Sequence, residues 1–143
     1  MEESDTFLKN IEGQPGKGLY RFRRVLVNFK ERELDFFFRA SRDFSTIILG
    51  SEKHIHIWKR QENSYELHET EPIDTGIKID SLKFLGKKNT FIVGSRDNKL
   101  RVYSGTGQLI QTVDAHSLGV SSCAGSSEGD IIVTGSSDLS LKI

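Results

Sequence analysis

The chain has 143 residues with 20 basic and 20 acidic side chains, so its formal net charge is zero. A nucleic-acid-binding domain ordinarily carries a basic excess, and the balance argues against that partner. No apolar run approaches the roughly 18 residues a membrane span requires, so no membrane partner is expected.

At 143 residues and 36% hydrophobic, the chain suits one folded soluble domain. The acidic, polar start MEESDTFLKN does not read as a secretory signal. The single cysteine, Cys123, cannot form an internal disulfide. Both features point to a cytoplasmic or nuclear protein.

Residues 1–18 hold Gly13, Pro15, Gly16 and Gly18 without a sustained apolar period, which predicts a flexible N-terminal tail. Leu19–Phe29, LYRFRRVLVNF, alternates roughly like an isolated strand. Its Arg21, Arg23 and Arg24 read better as charges that blunt a sheet edge than as a phosphate patch. LDFFFRA, Leu34–Ala40, predicts a further strand whose register the sequence leaves open.

The rest of the chain repeats. TIILGSEKHIHIW (Thr46–Trp58), TFIVGSRDNKLRVY (Thr90–Tyr103) and DIIVTGSSDLSLKI (Asp130–Ile143) align on Gly50, Gly94 and Gly135, at spacings of 44 and 41 residues. Each unit predicts a β-hairpin. An apolar run buried on both faces leads through Gly-Ser and a polar turn into an alternating strand. The alternating positions are Ile55/Ile57, Leu100/Val102 and Leu141/Ile143. Ile79–Phe84 and Val120–Cys123 predict strands before the second and third hairpins, and SYELHE and QLIQTV strands after the first and second. No convincing amphipathic helix is present.

Four short strands at a period of 41 to 44 residues are the pattern of β-propeller blades. At these residues the chain resembles the WD-repeat family. The last unit carries most of the likeness: Ala115-His116 where Gly-His is usual, then VTGSSD and an alternating strand. The middle unit has Tyr103 in the place of the family's Trp. The first has Trp58, but a turn one residue shorter and without the Asp. The resemblance implies an all-β fold, an incomplete β-propeller arc of about two and a half to three four-stranded antiparallel blades. The blades are expected at about 30–69, 79–113 and 119–143 within a fragment covering 19–143. Ile143 falls one residue short of the family's aromatic, so the third blade is expected to be incomplete. A longer protein, or another chain, then supplies further blades. Leu19–Phe29 is expected to pair beside the first blade or with a second molecule, and the isolated chain to associate.

The resemblance also implies a buried hydrogen-bond network of His116, Thr134 and Asp138. The second unit has Asp97 but Val93 in the Thr place and no preceding His, so Asp97→Ala is expected to cost less than Asp138→Ala. By residue type, His116, Thr134 and Asp138 could also be a catalytic triad, and His54 and His56, on one side of a strand, a metal pair with His68 conceivably facing them. The network explains the triad as structural, and no residue cluster supplies a firm third ligand. SGTGQL lacks the third glycine and following helix of a dinucleotide loop, and GQPGKG lacks the strand and Ser/Thr of a phosphate loop. No cofactor, metal or catalytic residue is expected, and the chain is read as no enzyme.

The family implies a non-enzymatic scaffold that presents turns to protein partners. Lys53, Arg96, Asn98 and Ser137 lie in one class of turn, and the connections Thr70–Lys78 and Asp114–Gly119 open on the same face. A narrower alternative is a reader of acidic or phosphorylated peptides through Arg96 and Lys53, as in ubiquitin-ligase substrate receptors.

Overall fold

The computed structural model describes residues 36–60, 65–67, 72–86 and 89–143. The expected tail at 1–18, the strand at Leu19–Phe29 and His68 lie outside these. The described residues build three antiparallel sheets and no helix.

In the first sheet β1 (Phe36–Ala40), β2 (Thr46–Ser51), β3 (His54–Arg60) and β4 (Tyr65–Leu67) follow one another, and β5 (Ile73–Asp74) also pairs with β3. The second sheet runs β6 (Ile79–Leu85), β7 (Thr90–Ser95), β8 (Lys99–Ser104) and β9 (Leu109–Asp114). The third runs β10 (Val120–Gly125), β11 (Ile132–Ser136) and β12 (Leu141–Lys142). These are successive propeller blades, and the arc they form is not closed.

The register left open for LDFFFRA is Phe37 opposite Gly50 and Arg39 opposite Ile48. The stretch Thr70–Lys78, read as a connection, is partly strand. Ile73 and Asp74 pair with Ile55 and His54, and Thr75 donates its N–H and hydroxyl to the Lys53 carbonyl, each at 2.8 Å. The outer strand of the first blade is therefore in two pieces, because the Lys53 carbonyl at the hairpin tip offers the returning chain an acceptor.

The core lies between blades. Ile48, Ile55 and Ile57 of the first meet Ile79, Leu82, Phe91, Val93 and Tyr103 of the second. Leu85, Ile92 and Leu100 of the second meet Val120 and Cys123 of the third. β7 explains the unbroken apolar run: Phe91 and Val93 point to one core and Ile92 to the other. Each such side chain is worth about 1.5–3 kcal/mol of burial. Tyr103 stacks on Phe91 with ring centres 5.3 Å apart and planes 11° from parallel. An aromatic is thus kept at the Trp place by packing alone.

The β2–β3, β7–β8 and β11–β12 turns lie at one end of the blades, the turn face. The β1–β2, β6–β7 and β10–β11 turns lie at the other. The first and second blades are joined on the turn face by a backbone bond from the Ile79 N–H to the Glu52 carbonyl. At the opposite end Gly86, at φ +42°, lies so close to Ser127 that a Cβ there would sit 2.4 Å from the Ser127 carbonyl oxygen.

Candidate functional site: a cleft on the turn face

β6 and β10 are the inner strands of their blades, and each carries a register shift near its start, between Ile79 and Ser81 and between Val120 and Ser122. A bulge turns the extra side chain out of the alternation. The two residues so released are Asp80 and Ser121. Both line one cleft of about 530 Å³ between the second and third blades, with Arg96, Leu118, Gly119 and Ser137. Gly119 forms a tight part of the wall: a Cβ there would meet the Arg96 Cα at 3.3 Å.

Arg96 projects from the β7–β8 turn, and its Nε lies 3.4 Å from Asp80 Oδ1. The guanidinium is mostly exposed while the Asp80 carboxylate is largely covered. Ser121 Oγ donates to the Gly135 carbonyl at 3.2 Å, and Ser137 N–H reaches the Gly119 carbonyl at 3.4 Å. Leu118 is half exposed at the rim. The cleft therefore offers a tethered cation, hydroxyls and an apolar edge.

Of the four turn residues singled out in the sequence, Arg96 and Ser137 meet at this cleft. Lys53 lies apart on the first blade and pairs with Asp74 at 3.4 Å. Asn98 has a local role. It adopts φ +69°, its carbonyl accepts from the Ala115 and His116 N–H groups, and its side-chain amide donates to the Ser117 carbonyl at 3.1 Å. Asp80 and Ser121 were missed by the sequence reading, since a bulge that exposes them leaves no mark on the apolar pattern.

Behind the cleft, His116 Nε2 lies 2.9 Å from Thr134 Oγ1. Its Nδ1 lies 3.1 Å from Asp138 Oδ2 and 3.0 Å from Ser140 Oγ. The Asp138 carboxylate also accepts from the Ser117 N–H and from the Ser140 N–H and hydroxyl. Those hydrogen bonds, the Ser140 hydroxyl first, hold its carboxyl well below the usual carboxylate range. Ser140 is the member the sequence reading did not include.

The second blade is built differently. Asp97 takes the Arg101 guanidinium through both carboxylate oxygens, Oδ1 at 3.1 Å, and Arg101 also donates to Ser95 Oγ at 3.2 Å. Asp97 is therefore not idle for want of a histidine, and the expectation that its loss costs less does not follow from this geometry. Burial opposes ionisation of Asp97, but the Arg101 bond and charge outweigh it and its pKa falls. Among the described residues no group of three or more His, Cys, Asp or Glu side chains converges on a metal-sized site.

Antiparallel sheets of this order, packed one on the next through shared cores, define a blade-built β-propeller class. Residues 107–143, the last blade and part of the preceding one, match the family described as WD domain, G-beta repeat. No curated protein matches the sequence. Among solved structures the chain is similar to one in the crystal structure of the mitotic checkpoint complex, at TM-score 0.57 and 23% identity, covering 71% of this chain and 34% of that one. It is also similar to the β-propeller domain of Myceliophteria thermophila Cps50 (Swd1), at TM-score 0.61 and 7% identity over 72% and 35%. A third is the computationally designed Ika4 protein, at TM-score 0.54 and 20% identity over 73% and 61%. The chain thus spans about a third of the length of two of these structures.

Proposed function

We propose that this chain is a non-enzymatic protein-interaction scaffold that holds partners on its turn face, at the cleft between the second and third blades. The observation that carries the reading is the joint release of Asp80 and Ser121 into one cleft beside Arg96 and Leu118. Binding residues on turns above a rigid frame are the usual way a scaffold recognises partners, and Arg is enriched at binding hot spots. The His116–Thr134–Asp138 arrangement supports the non-enzymatic side. Thr134 and His116 are both buried, so a substrate cannot reach the hydroxyl that a triad would use.

Affinity capture from extract with the wild-type chain, an Arg96→Glu variant and a Leu118→Asp variant tests this. Specific partners are expected to be lost with both variants, and equal recovery would count against the cleft. The narrower reading, recognition of acidic or phosphorylated peptides through Arg96 and Lys53, has one observation in favour: the Arg96 side chain is 64% exposed even while paired with Asp80. Each of the two cations is already matched by a carboxylate, so an added anion competes with an existing pair. A peptide array with and without phosphate separates the two readings.

A further inference from the structure

Asp80 differs from the other aspartates of the described residues. Asp43, Asp74, Asp97, Asp114, Asp130 and Asp138 each accept at least one hydrogen bond. The Asp80 carboxylate accepts none among the described residues, and its ion-pair partner there is Arg96, with Nε 3.4 Å from Oδ1. That separation is longer than an ordinary N–H···O bond. The Arg96 guanidinium likewise makes no hydrogen bond among the described residues, so charge alone holds the two side chains together. In the Asp97–Arg101 pair, by contrast, both carboxylate oxygens take the guanidinium.

The surroundings of Asp80 explain its state. The bulge between Ile79 and Ser81 turns it into the cleft. Gly119 faces it there: a Cβ at Gly119 would lie 3.7 Å from Asp80 Oδ2. The Gly119 carbonyl accepts from Ser136 Oγ at 2.9 Å and from the Ser137 N–H at 3.4 Å, and a carbonyl gives a carboxylate nothing. Ser121, released by the matching bulge, spends its hydroxyl proton on the Gly135 carbonyl. A largely covered carboxylate ordinarily accepts hydrogen bonds, so this cleft is short of a donor that a ligand can bring.

Charge decides which donor fits. A partner's lysine or arginine would set a second cation against Arg96. A partner's aspartate or glutamate would set a second anion against Asp80. A carboxamide suits both groups at once: its NH2 donates to the carboxylate, its oxygen accepts from the guanidinium, and the ion pair stays whole. Asp80 is more covered than Arg96 and Leu118 at the mouth of the cleft, which suits a projecting side chain. Half-exposed Leu118 offers an apolar contact to the residue next to it.

We infer that the cleft recognises an asparagine or glutamine side chain of a partner segment, with an apolar neighbour resting on Leu118. The inference rests on the reading of this cleft as the site that holds partners, and it names the chemical group read there.

A nitrogen-15 chemical-shift titration of the full chain tests it. The probes are acetyl-Leu-Asn-Gly N-methylamide and its Gln, Asp, Lys and Ala counterparts at the central position. The Asn or Gln peptide is expected to shift the Gly119, Ser121 and Ser137 amides and to bind about tenfold more tightly than the other three, because a site built to hydrogen-bond a group rejects analogues without it. Asp80→Asn leaves the Arg96 charge unmatched and is expected to move the preference to the Asp peptide. Arg96→Gln leaves Asp80 unmatched and is expected to move it to the Lys peptide. Circular dichroism checks both variants, and the wild-type series decides alone if either unfolds. No shift with either carboxamide peptide, equal binding of the Asp or Lys peptide, or an unchanged preference in folded variants overturns the inference. Capture lost with Arg96→Glu and Leu118→Asp, but no peptide preference, sinks this inference and leaves the scaffold reading standing. The preference with undiminished capture does the reverse.

Discussion

Thr134 holds His116 Nε2 at 2.9 Å in the third blade, while Val93 at the equivalent position of the second blade is fully buried and packs in an apolar core. The two blades meet one packing problem with different chemistry: a polar side chain needs a partner when buried, a valine only needs contact. Thr134→Val should therefore destabilise the chain by about 1–2 kcal/mol, because it keeps shape and leaves the imidazole nitrogen unmatched. Denaturant titration measures it, and an unchanged midpoint would mean the bond contributes nothing.

The second blade depends on Asp97 and Arg101, whose side chains are 19% and 14% exposed. Asp97→Ala leaves a largely covered guanidinium without its acid and should cost about 2–4 kcal/mol, whereas Asp97→Ala with Arg101→Met should recover most of that loss. A double-mutant cycle by chemical unfolding reads the coupling. Simple additivity would show that the pair does not act as a unit.

Asp138 gives a pH signature. Its folded pKa lies below the unfolded value, so its contribution is present above about pH 4 and is lost as pH falls through the folded value. Asp138→Asn should lower stability at neutral pH and flatten the fall below pH ~4. Thermal unfolding of both proteins across pH 7 to 2 tests the sign, and parallel curves would refute the assignment.

Gly94 and Gly50 occupy matching places, but their surroundings differ. A Cβ at Gly94 would lie 2.8 Å from Val120 Cγ1 and 3.0 Å from the Val120 carbonyl of the next blade. At Gly50 the nearest atom would be Leu82 Cδ2 at 3.3 Å. Gly94→Ala should thus destabilise by about 1–3 kcal/mol by pushing the second and third blades apart, and Gly50→Ala clearly less. Equal effects in melting experiments would contradict the inter-blade packing.

Leu139 adopts φ +65° and is almost wholly exposed, while Asn98 takes φ +69° at the same turn position. Left-handed backbone disfavours a leucine, and asparagine tolerates it. Leu139→Asn should raise stability by about 0.5–1 kcal/mol, visible as a higher melting temperature. A lower one would show that the leucine makes contacts that matter more than its backbone.

The sequence alone determined the blades. Apolar runs ending in Gly-Ser, turns of set length and alternating strands recur at 41 and 44 residues, and local patterning of that kind survives in one dimension because each hairpin is built from neighbours in the chain. His116, Thr134 and Asp138 were reached through the resemblance to the WD-repeat pattern, which places them within one repeat. What the tertiary structure decided depends on residues far apart in sequence. Bulges turned Asp80 and Ser121 into a shared cleft with Arg96. Asp74 took up Lys53, and Asn98 was absorbed into the Ala115–Ser117 connection. Composition counts charges, whereas pairing depends on distance, and the pairing of strands within each folded sheet sets most of those distances.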